Sequence, residues 1–148
     1  NDDTPVIMVG PGTGIAPFRA YLEEVEAAQI QNQTWLFFGH QHASKDFLYE
    51  SEIKRWMMQG TLNKASFAWS RDQAEKVYVQ NRILEQGAEV WSWMEQGAIV
   101  YVCGDAHGMA PAVAEAFKTL AKTYGSVHNA DSWLEDLIYA ERYRTDVY

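Results

Sequence analysis

The chain has 148 residues and a composition typical of a single globular domain. Hydrophobic residues make up 47% of it and charged residues 22%, which excludes a disordered or collagen-like chain. Acidic residues outnumber basic ones by 20 to 12, and the net charge of −8 argues against nucleic-acid or anionic-membrane partners. Its apolar runs are far shorter than the roughly 20 residues that a membrane-spanning helix needs.

Cysteine and histidine are too few for a disulfide framework or a recognisable metal site. The single cysteine, Cys103, excludes an internal disulfide and suits a reducing, cytoplasmic environment. No third ligand lies at a recognisable spacing from His40 and His42, so we predict no bound metal. Because an apolar run begins almost at the first residue, we expect residues 1–148 to be one monomeric domain excised from a larger protein.

Short apolar runs alternate with helical patterns along the chain. Runs that are apolar on both faces are typical of parallel strands covered by helices on both sides. Four runs have this character, and a further strand is expected at the end of the chain: Val6–Val9, Trp35–Phe38, Ala65–Trp69, Ile99–Cys103 and Tyr143–Tyr148. The sequence therefore predicts an α/β fold, a three-layer α/β/α domain with a parallel, Rossmann-like sheet. Ligands of such folds bind beyond the carboxyl ends of the strands.

Helical patterns fill the intervals between these runs. We predict a first helix from near Ile15–Pro17, a second over Phe47–Gln59, and two short helices within Gln80–Gln96, interrupted at Gly87.

Two more helices are predicted after the fourth strand. The first has an apolar stripe at helical spacing and Gly125 as its C-cap; the stripe is Val113, Phe117, Leu120, Ala121 and Tyr124. The second begins with a capping box at Ser132–Glu135 and buries Leu134, Leu137 and Ile138.

The first strand runs into a glycine-rich loop, Gly10-Pro-Gly-Thr-Gly-Ile-Ala-Pro-Phe18. Alternate glycines let backbone amides approach a phosphate closely at a helix N-terminus, and Thr13 adds a hydroxyl. The spacing is neither the G-x-G-x-x-G dinucleotide fingerprint nor a nucleoside-triphosphate P-loop. No acid ends the second strand, where a ribose-binding carboxylate would favour NAD. The alternative interpretation is a tight strand-to-helix turn without a ligand.

Polar side chains follow the third strand. They are Ser70, Arg71, Lys76, Tyr78 and Gln80. If residues 76–80 are extended, Lys76, Tyr78 and Gln80 lie on one side. A guanidinium and an ammonium can hold a phosphate, and a phenol ring can stack on a base, which fits the ribose phosphate that distinguishes NADP from NAD. The alternative is a solvated loop in which Asp72 and Glu75 pair with the basic residues.

Cys103 closes the fourth strand and Tyr148 closes the chain. A single cysteine is usually a small buried hydrophobe, and the functional alternative is a side chain that touches a bound ring. The aromatic last residue hints that the end of the chain docks on something.

Five segments in the same order resemble one family. They are Gly10–Phe18, Trp69–Arg71, Lys76–Gln80, Tyr101–Asp105 and the terminal Asp146–Tyr148. Together they resemble the NADPH-binding domain of diflavin reductases, in the ferredoxin–NADP reductase superfamily. Leu36–Gly39, Asp46–Tyr49 and the terminal tyrosine are most similar to the branch formed by the flavoprotein subunits of assimilatory NADPH–sulfite reductases.

The resemblance implies a role for each motif. The cofactor-binding residues would be Gly12, Thr13 and Gly14 at the pyrophosphate, Ser70, Arg71 and Lys76 at the ribose phosphate, Val77, Tyr78, Val79 and Gln80 near the adenosine, and also Met109. Cys103 and Asp146 would be catalytic, beside the nicotinamide. Tyr148 would cover the flavin ring of FAD and move aside for the nicotinamide.

The resemblance also implies partners. Hydride would pass from NADPH to FAD, and electrons would continue through FMN to a hemoprotein subunit that reduces sulfite. The FAD- and FMN-binding domains of the same parent chain would supply the flavins. The FAD-binding domain would also supply a serine that acts with Cys103 and Asp146. We therefore expect the isolated chain to bind NADP(H) without turning over.

The sequence departs from the family pattern at two places and is compatible with other functions. His107-Gly108 and Ala112 differ from residues frequent in the family, so we expect the contacts to adenine to differ from the family's, while the phosphate-binding set is intact. The alternatives are another diflavin reductase such as a cytochrome reductase, a non-catalytic nucleotide-binding module, and a flavodoxin-like domain.

Overall fold

Five parallel strands form the centre of the molecule. The computed structural model describes residues 4–11, 23, 33–40, 50–59, 62–69, 78–104 and 109–147. The strands are β1 (Val6–Pro11), β2 (Thr34–His40), β3 (Lys64–Trp69), β4 (Ile99–Gly104) and β5 (Tyr143–Val147). They form one sheet in the order β3-β2-β1-β4-β5, and every neighbouring pair is parallel. All five predicted strands are confirmed.

The strand order creates a switch point between β1 and β4. The chain moves from β1 outward to β2 and β3, and then continues on the other side of β1 with β4 and β5. In the register, Val6 pairs with Thr34 on one side and with Ile99 on the other. In open α/β sheets a crevice for ligands lies at such a point, beyond the carboxyl ends of the strands.

Helices cover both faces of the sheet. They are α1 (Glu50–Gln59), α2 (Val79–Glu85), α3 (Gly87–Glu95), α4 (Met109–Tyr124) and α5 (Ala130–Tyr139). On one face, Ile7, Trp35 and Val100 pack against residues of α2, α3, α4 and α5. On the other face, Met8 and Leu36 pack with Trp56 of α1. The three-layer α/β/α architecture is therefore confirmed.

Alternation along each strand explains the two cores. Successive side chains of a strand point to opposite faces, so Ile7 and Met8 enter different cores although both are fully buried. Each large apolar side chain that is fully buried contributes about 1.5–3 kcal/mol relative to exposure. Among the helices that the structure describes, none is long and apolar enough to cross a membrane.

The region after β3 agrees only in part with the extended arrangement considered for residues 76–80. Tyr78 is extended, and Lys76 and Val77 lie outside the described residues. Helix α2 begins at Val79, so Gln80 is helical, as the helix predicted from Gln80 requires. The burial of Val79, at 2% exposure, and of Ile83 follows helical spacing. The two short helices predicted around Gly87 are confirmed, and Gly87 itself is the first residue of α3.

Helix α4 ends as predicted, but for a different reason. Of its predicted stripe, Val113, Phe117, Leu120 and Ala121 are buried, whereas Tyr124 is 47% exposed. Gly125 follows the helix, but the residue with positive φ is Ser126, at 53°. A Cβ on Gly125 would lie 2.3 Å from Cζ2 of Trp91, so glycine is needed there for close packing.

Helix α5 begins earlier than predicted. Its N-cap is Asn129, whose side chain accepts a hydrogen bond from the amide of Ser132 at 3.0 Å, so the predicted capping box at Ser132 is wrong. Leu134 and Leu137 are buried as expected, but Ile138 is 52% exposed. Asparagine is among the strongest N-cap residues, and it displaces the start of the helix to Ala130.

Two helix predictions lie partly or wholly outside the described residues. Of the predicted first helix only Glu23 is described, and it is helical and exposed. The structure describes the predicted second helix from Glu50 onward, with Trp56 buried and Met57 at 42% exposure.

Candidate nucleotide-binding site

The predicted site segments lie at, or follow in sequence, the carboxyl ends of the strands that the structure describes. The glycine-rich loop follows β1, the Ser70–Lys76 segment follows β3, and Cys103 and Asp146 lie near the ends of β4 and β5. Because all strands are parallel, these ends share one edge. Eight predicted site residues lie outside the described part of the chain: Gly12, Thr13, Gly14, Ser70, Arg71, Lys76, Val77 and Tyr148.

The strand ends follow a defined order across the carboxyl edge of the sheet. From one side of the sheet to the other, this order is β3, β2, β1, β4 and β5. The end of β3 is therefore separated from Asp146 on β5 by four strand spacings, roughly 19 Å. The start of the glycine-rich loop at the end of β1 lies between them.

Cys103 and Asp146 face each other on neighbouring strands. They are register partners in the parallel pair of β4 and β5, although 43 positions separate them in the sequence. The Cys103 side chain is 7% exposed, and Asp146 is exposed. Burial, and then the negative charge of Asp146, raise the pKa of the Cys103 thiol. The pair therefore combines a neutral, buried thiol with an exposed carboxylate at the carboxyl edge of the sheet.

A cation lies close to this pair. Arg144 precedes Asp146 by two residues on β5, so both side chains share a face of the sheet. Its guanidinium donates a 2.6 Å hydrogen bond from Nη1 to the hydroxyl of Tyr101 and lies 5.2 Å from the centre of that ring. Nε of Arg144 also donates to the carbonyl of Glu141 at 2.7 Å, which holds the guanidinium in one position.

The other described end of the site is the first turn of α2. Tyr78 is the N-cap residue, and its side chain is 45% exposed. The next residue, Val79, is buried, and its Cβ lies 3.6 Å from where a Cβ on Gly39 would stand. The position of that Cβ is also 4.0 Å from the carbonyl oxygen of Gly10. Tyr78 is therefore held at the carboxyl edge, beside the ends of β1 and β2.

The remaining described site residues have mixed environments. Gln80 is half-buried in α2, and Val79 is a core residue, which leaves only its backbone for a ligand contact. Met109 is the first residue of α4 and packs, partly buried, against the larger core. Within the described ranges, no group of three or more His, Cys, Asp or Glu side chains could hold a metal ion.

Sequence reasoning missed two residues near the site. Asn81 accepts a hydrogen bond from the backbone amide of Tyr78 at 2.8 Å. A side-chain acceptor three residues after an N-cap is a signal of a helix start that could have been read from the sequence. The contact of Arg144 with Tyr101 could not have been read from the sequence, because it depends on the pairing of β4 with β5.

The chain matches one family model and several curated proteins. The model is the oxidoreductase NAD-binding domain, matched over residues 8–115. A sulfite reductase [NADPH] flavoprotein alpha-component from Sodalis glossinidius is 54% identical over 148 residues, 99% of this chain and 24% of the relative. The proteins of the same name from Yersinia pestis and Yersinia enterocolitica are each 49% identical over 150 residues, 100% of this chain and 25% of each relative.

These matches cover the chain fully but the relatives only in part. The chain spans about a quarter of the length of the curated relatives that it matches. The family model, in contrast, extends from β1 into α4 and so includes the glycine-rich loop, the segment after β3 and Cys103. The chain belongs to the oxidoreductase NAD-binding domain family.

Proposed function

We propose that the chain binds NADP(H) along the carboxyl edge of its sheet and presents the nicotinamide to a flavin. The observation that carries this proposal is the strand order. It supports the proposal because the segment that we assign to the ribose phosphate follows β3, the loop that we assign to the pyrophosphate follows β1, and Cys103 and Asp146 lie on β4 and β5. The groups of NADPH follow one another in the same order, from adenosine phosphate through pyrophosphate to nicotinamide.

At the adenosine end, the proposal assigns the phosphate to the basic residues after β3. Ser70, Arg71 and Lys76 would hold the ribose phosphate, and charge-assisted, bidentate bonds from a guanidinium make this contact selective. The exposed side of the Tyr78 ring would stack on the adenine, with Gln80 nearby. Gly12, Thr13 and Gly14 would bind the pyrophosphate through backbone amides.

At the nicotinamide end, the proposal assigns the ring to Cys103 and Asp146. When bound, NADPH supplies a hydride. The buried thiol of Cys103 offers the ring a neutral surface, and the carboxylate of Asp146 stabilises positive charge beside it. Tyr148 would shield the flavin ring of FAD and exclude water until nicotinamide arrives. Met109 would contact the cofactor from the start of α4.

We further propose that the chain is the NADPH-binding domain of a larger cytoplasmic flavoprotein of the sulfite reductase type. The identity of 49–54% to sulfite reductase [NADPH] flavoprotein alpha-components supports this. In that parent, electrons would pass to FAD and FMN in other domains of the same chain and then to a hemoprotein subunit. A reducing compartment would suit Cys103, which is a free, buried thiol.

Calorimetric titration of the chain with NADP⁺ and NAD⁺ tests the nucleotide proposal. Loss of a phosphate held by charged groups removes bonds of roughly 1.5–3 kcal/mol each, so NADP⁺ should bind at least about tenfold to a hundredfold more tightly. The R71A and K76A variants should reduce that preference, and added salt should also reduce it. K122A, which removes an exposed lysine of α4, is the matched control. Equal affinities for the two nucleotides would contradict the phosphate assignment.

A chimera tests the proposal about the parent protein. The chain would replace the matching quarter of the Yersinia pestis flavoprotein alpha-component, and NADPH-dependent bleaching of the flavin absorbance would be measured. We expect reduction by NADPH, slowed in the C103A and D146N variants. A folded chimera that binds NADP⁺, and whose flavin is reduced by dithionite but not by NADPH, would instead indicate a non-catalytic nucleotide-binding module.

A further inference from the structure

We propose that Asn81 is a positioning residue for the adenosine half of the dinucleotide, and that it acts by fixing the backbone of Tyr78. The inference rests on the proposed function, because it takes Tyr78 as the side chain that stacks on adenine. Asn81 itself touches no nucleotide in this proposal. Its side chain determines where the Tyr78 ring can stand.

Asn81 binds both backbone polar groups of Tyr78. Its side-chain oxygen Oδ1 accepts a hydrogen bond from the Tyr78 amide at 2.8 Å. Its own amide donates to the Tyr78 carbonyl oxygen at 3.0 Å. The two hydrogen bonds constrain the backbone of Tyr78 at its amide and at its carbonyl group. This backbone is extended, with φ −108° and ψ 165°.

A second constraint acts on the other side of the same residue. Val79 follows Tyr78 directly, is 2% exposed, and packs into the core where α2 meets the strand end at Gly39. The backbone of Tyr78 is therefore fixed by Asn81 on one side and by the core on the other. Because a fixed backbone sets the direction of the Cα–Cβ bond, the ring can occupy only a few rotamers.

The backbone of Tyr78 is fixed, but its ring contributes little to the fold. Its side chain is 45% exposed, although an aromatic ring gains more stability from burial. An exposed ring on a rigid backbone is a preorganised stacking surface, since little conformational entropy is lost when a flat base binds to it. Asn81 is itself exposed, so its hydrogen bond to Tyr78 serves the first turn of α2 and not the core.

Variants of Asn81 separate positioning from general stability. N81A removes the acceptor while alanine, the best helix former, preserves α2, and N81L removes it with a side chain of similar size. N81Q keeps a neutral acceptor that can reach back to the N-cap amide, as in a capping box. N129A is the matched control, because it also removes an asparagine side-chain oxygen that accepts a backbone amide at the first turn of a helix, here α5, away from the site.

The probe is 2′,5′-ADP, which carries the adenosine and its ribose phosphate without nicotinamide, titrated calorimetrically into the full chain. N81A and N81L should bind it roughly fivefold to tenfold more weakly than the unmodified chain. N81Q should restore binding to within about twofold. N129A should lower the melting temperature about as much as N81A and leave the affinity unchanged.

The outcomes distinguish this inference from the proposed function. If the unmodified chain does not bind 2′,5′-ADP, the proposed function fails and this inference fails with it. If it binds but N81A binds equally well, or if N129A loses as much affinity as N81A, the positioning role alone is overturned. Loss in N81A and N81L with recovery in N81Q supports it.

Discussion

Cys103 and Asp146 lie opposite each other near the ends of β4 and β5, and the charge of Asp146 changes the chemistry of Cys103. Burial is the first cause that raises the pKa of the Cys103 thiol, and the charge of Asp146 is the second. A raised thiol pKa disfavours the thiolate, so Cys103 is a poor nucleophile at neutral pH. At the residue scale, Cys103 therefore contributes a packing surface and Asp146 a negative charge, and Cys103 does not attack a ligand covalently.

Alkylation of Cys103 tests this electrostatic coupling. In the native chain, reaction with iodoacetamide should be slow at neutral pH and should accelerate only well above the pKa of an ordinary thiol. D146N removes the nearby negative charge, lowers the pKa of Cys103, and should speed the reaction at a fixed, mildly alkaline pH. Mass spectrometry of the time course measures the rate.

The same pKa shift predicts the direction of a stability change. Because the native thiol binds its proton more tightly than the unfolded one, the stability contribution of Cys103 is lost as pH rises past the unfolded thiol pKa. D146N should make this alkaline loss smaller. D136N, which removes an exposed carboxylate of α5, should change neither the alkylation rate nor the alkaline loss.

At the scale of elements, the helices are joined by close contacts at their ends. Trp91 of α3 packs over Gly125 just after α4, and it also packs against Trp133 of α5 with ring centres 5.5 Å apart. Arg142, before β5, donates to the carbonyl oxygens of Met94, in the last turn of α3, and of Ala98, just before β4. These contacts fix α3, α4, α5 and β5 as one packed face.

Substitution G125A tests the close approach of Trp91. A Cβ there would meet Cζ2 of Trp91 at 2.3 Å and the Ala121 carbonyl oxygen at 2.9 Å. Overpacking of this kind costs about 1–3 kcal/mol, which urea unfolding would measure. In a W91A background the cost of G125A should fall, because the tryptophan clash is gone while the carbonyl clash remains. An equal cost in both backgrounds would refute the assignment to Trp91.

Arg142 is the second element-scale test. Its guanidinium donates to the Met94 carbonyl at 2.9 Å and to the Ala98 carbonyl at 3.3 Å, and it is half-buried. Hydrogen bonds to charged groups contribute roughly 1.5–3 kcal/mol, so R142A should lower the free energy of unfolding by about that amount. K122A removes an exposed cation of α4 and should cost far less. Similar losses in R142A and K122A would contradict a structural role for this contact.

The sequence predicted local features well and non-local ones poorly. The strand β1 was visible because four adjacent residues, Val6–Val9, are apolar, and all four are buried. The position of Cys103 at a strand end was also visible in the local pattern. Only the resemblance placed Asp146 beside it, because strand order depends on contacts between distant segments. The sequence left open whether Gln80 extends with Tyr78 or begins a helix, and only the packed structure reveals that the helix begins at Val79, which enters the core.

Competition between neighbouring signals explains the other errors. Ser132 has a capping-box pattern, but Asn129 caps first, and the helix that starts at Ala130 turns Ile138 outward. Gly125 directly follows α4, as the predicted C-cap requires, but the left-handed conformation is taken by Ser126, and the glycine also makes room for Trp91. A local pattern cannot reveal a tertiary neighbour that overrides it.

At the scale of the whole molecule, the sheet orders the proposed site. Strands β2 and β3 lie on one side of β1, and β4 and β5 lie on its other side. The switch point is therefore near the middle of the carboxyl edge of the sheet. The first turn of α2 lies at one side of the edge, and Cys103 and Asp146 lie at the other. The central claim is that one dinucleotide spans this edge in a single direction.

Amide chemical shifts of the isotope-labelled chain, measured with 2′,5′-ADP and then with NADP⁺, test that claim most directly. The account predicts that 2′,5′-ADP shifts the amides of Tyr78–Gln80 and leaves Cys103 and Asp146 unchanged, whereas NADP⁺ shifts both groups. Changes at the opposite edge of the sheet, at Val6, Thr34 and Ile99, would contradict it, as would an identical pattern for the two ligands.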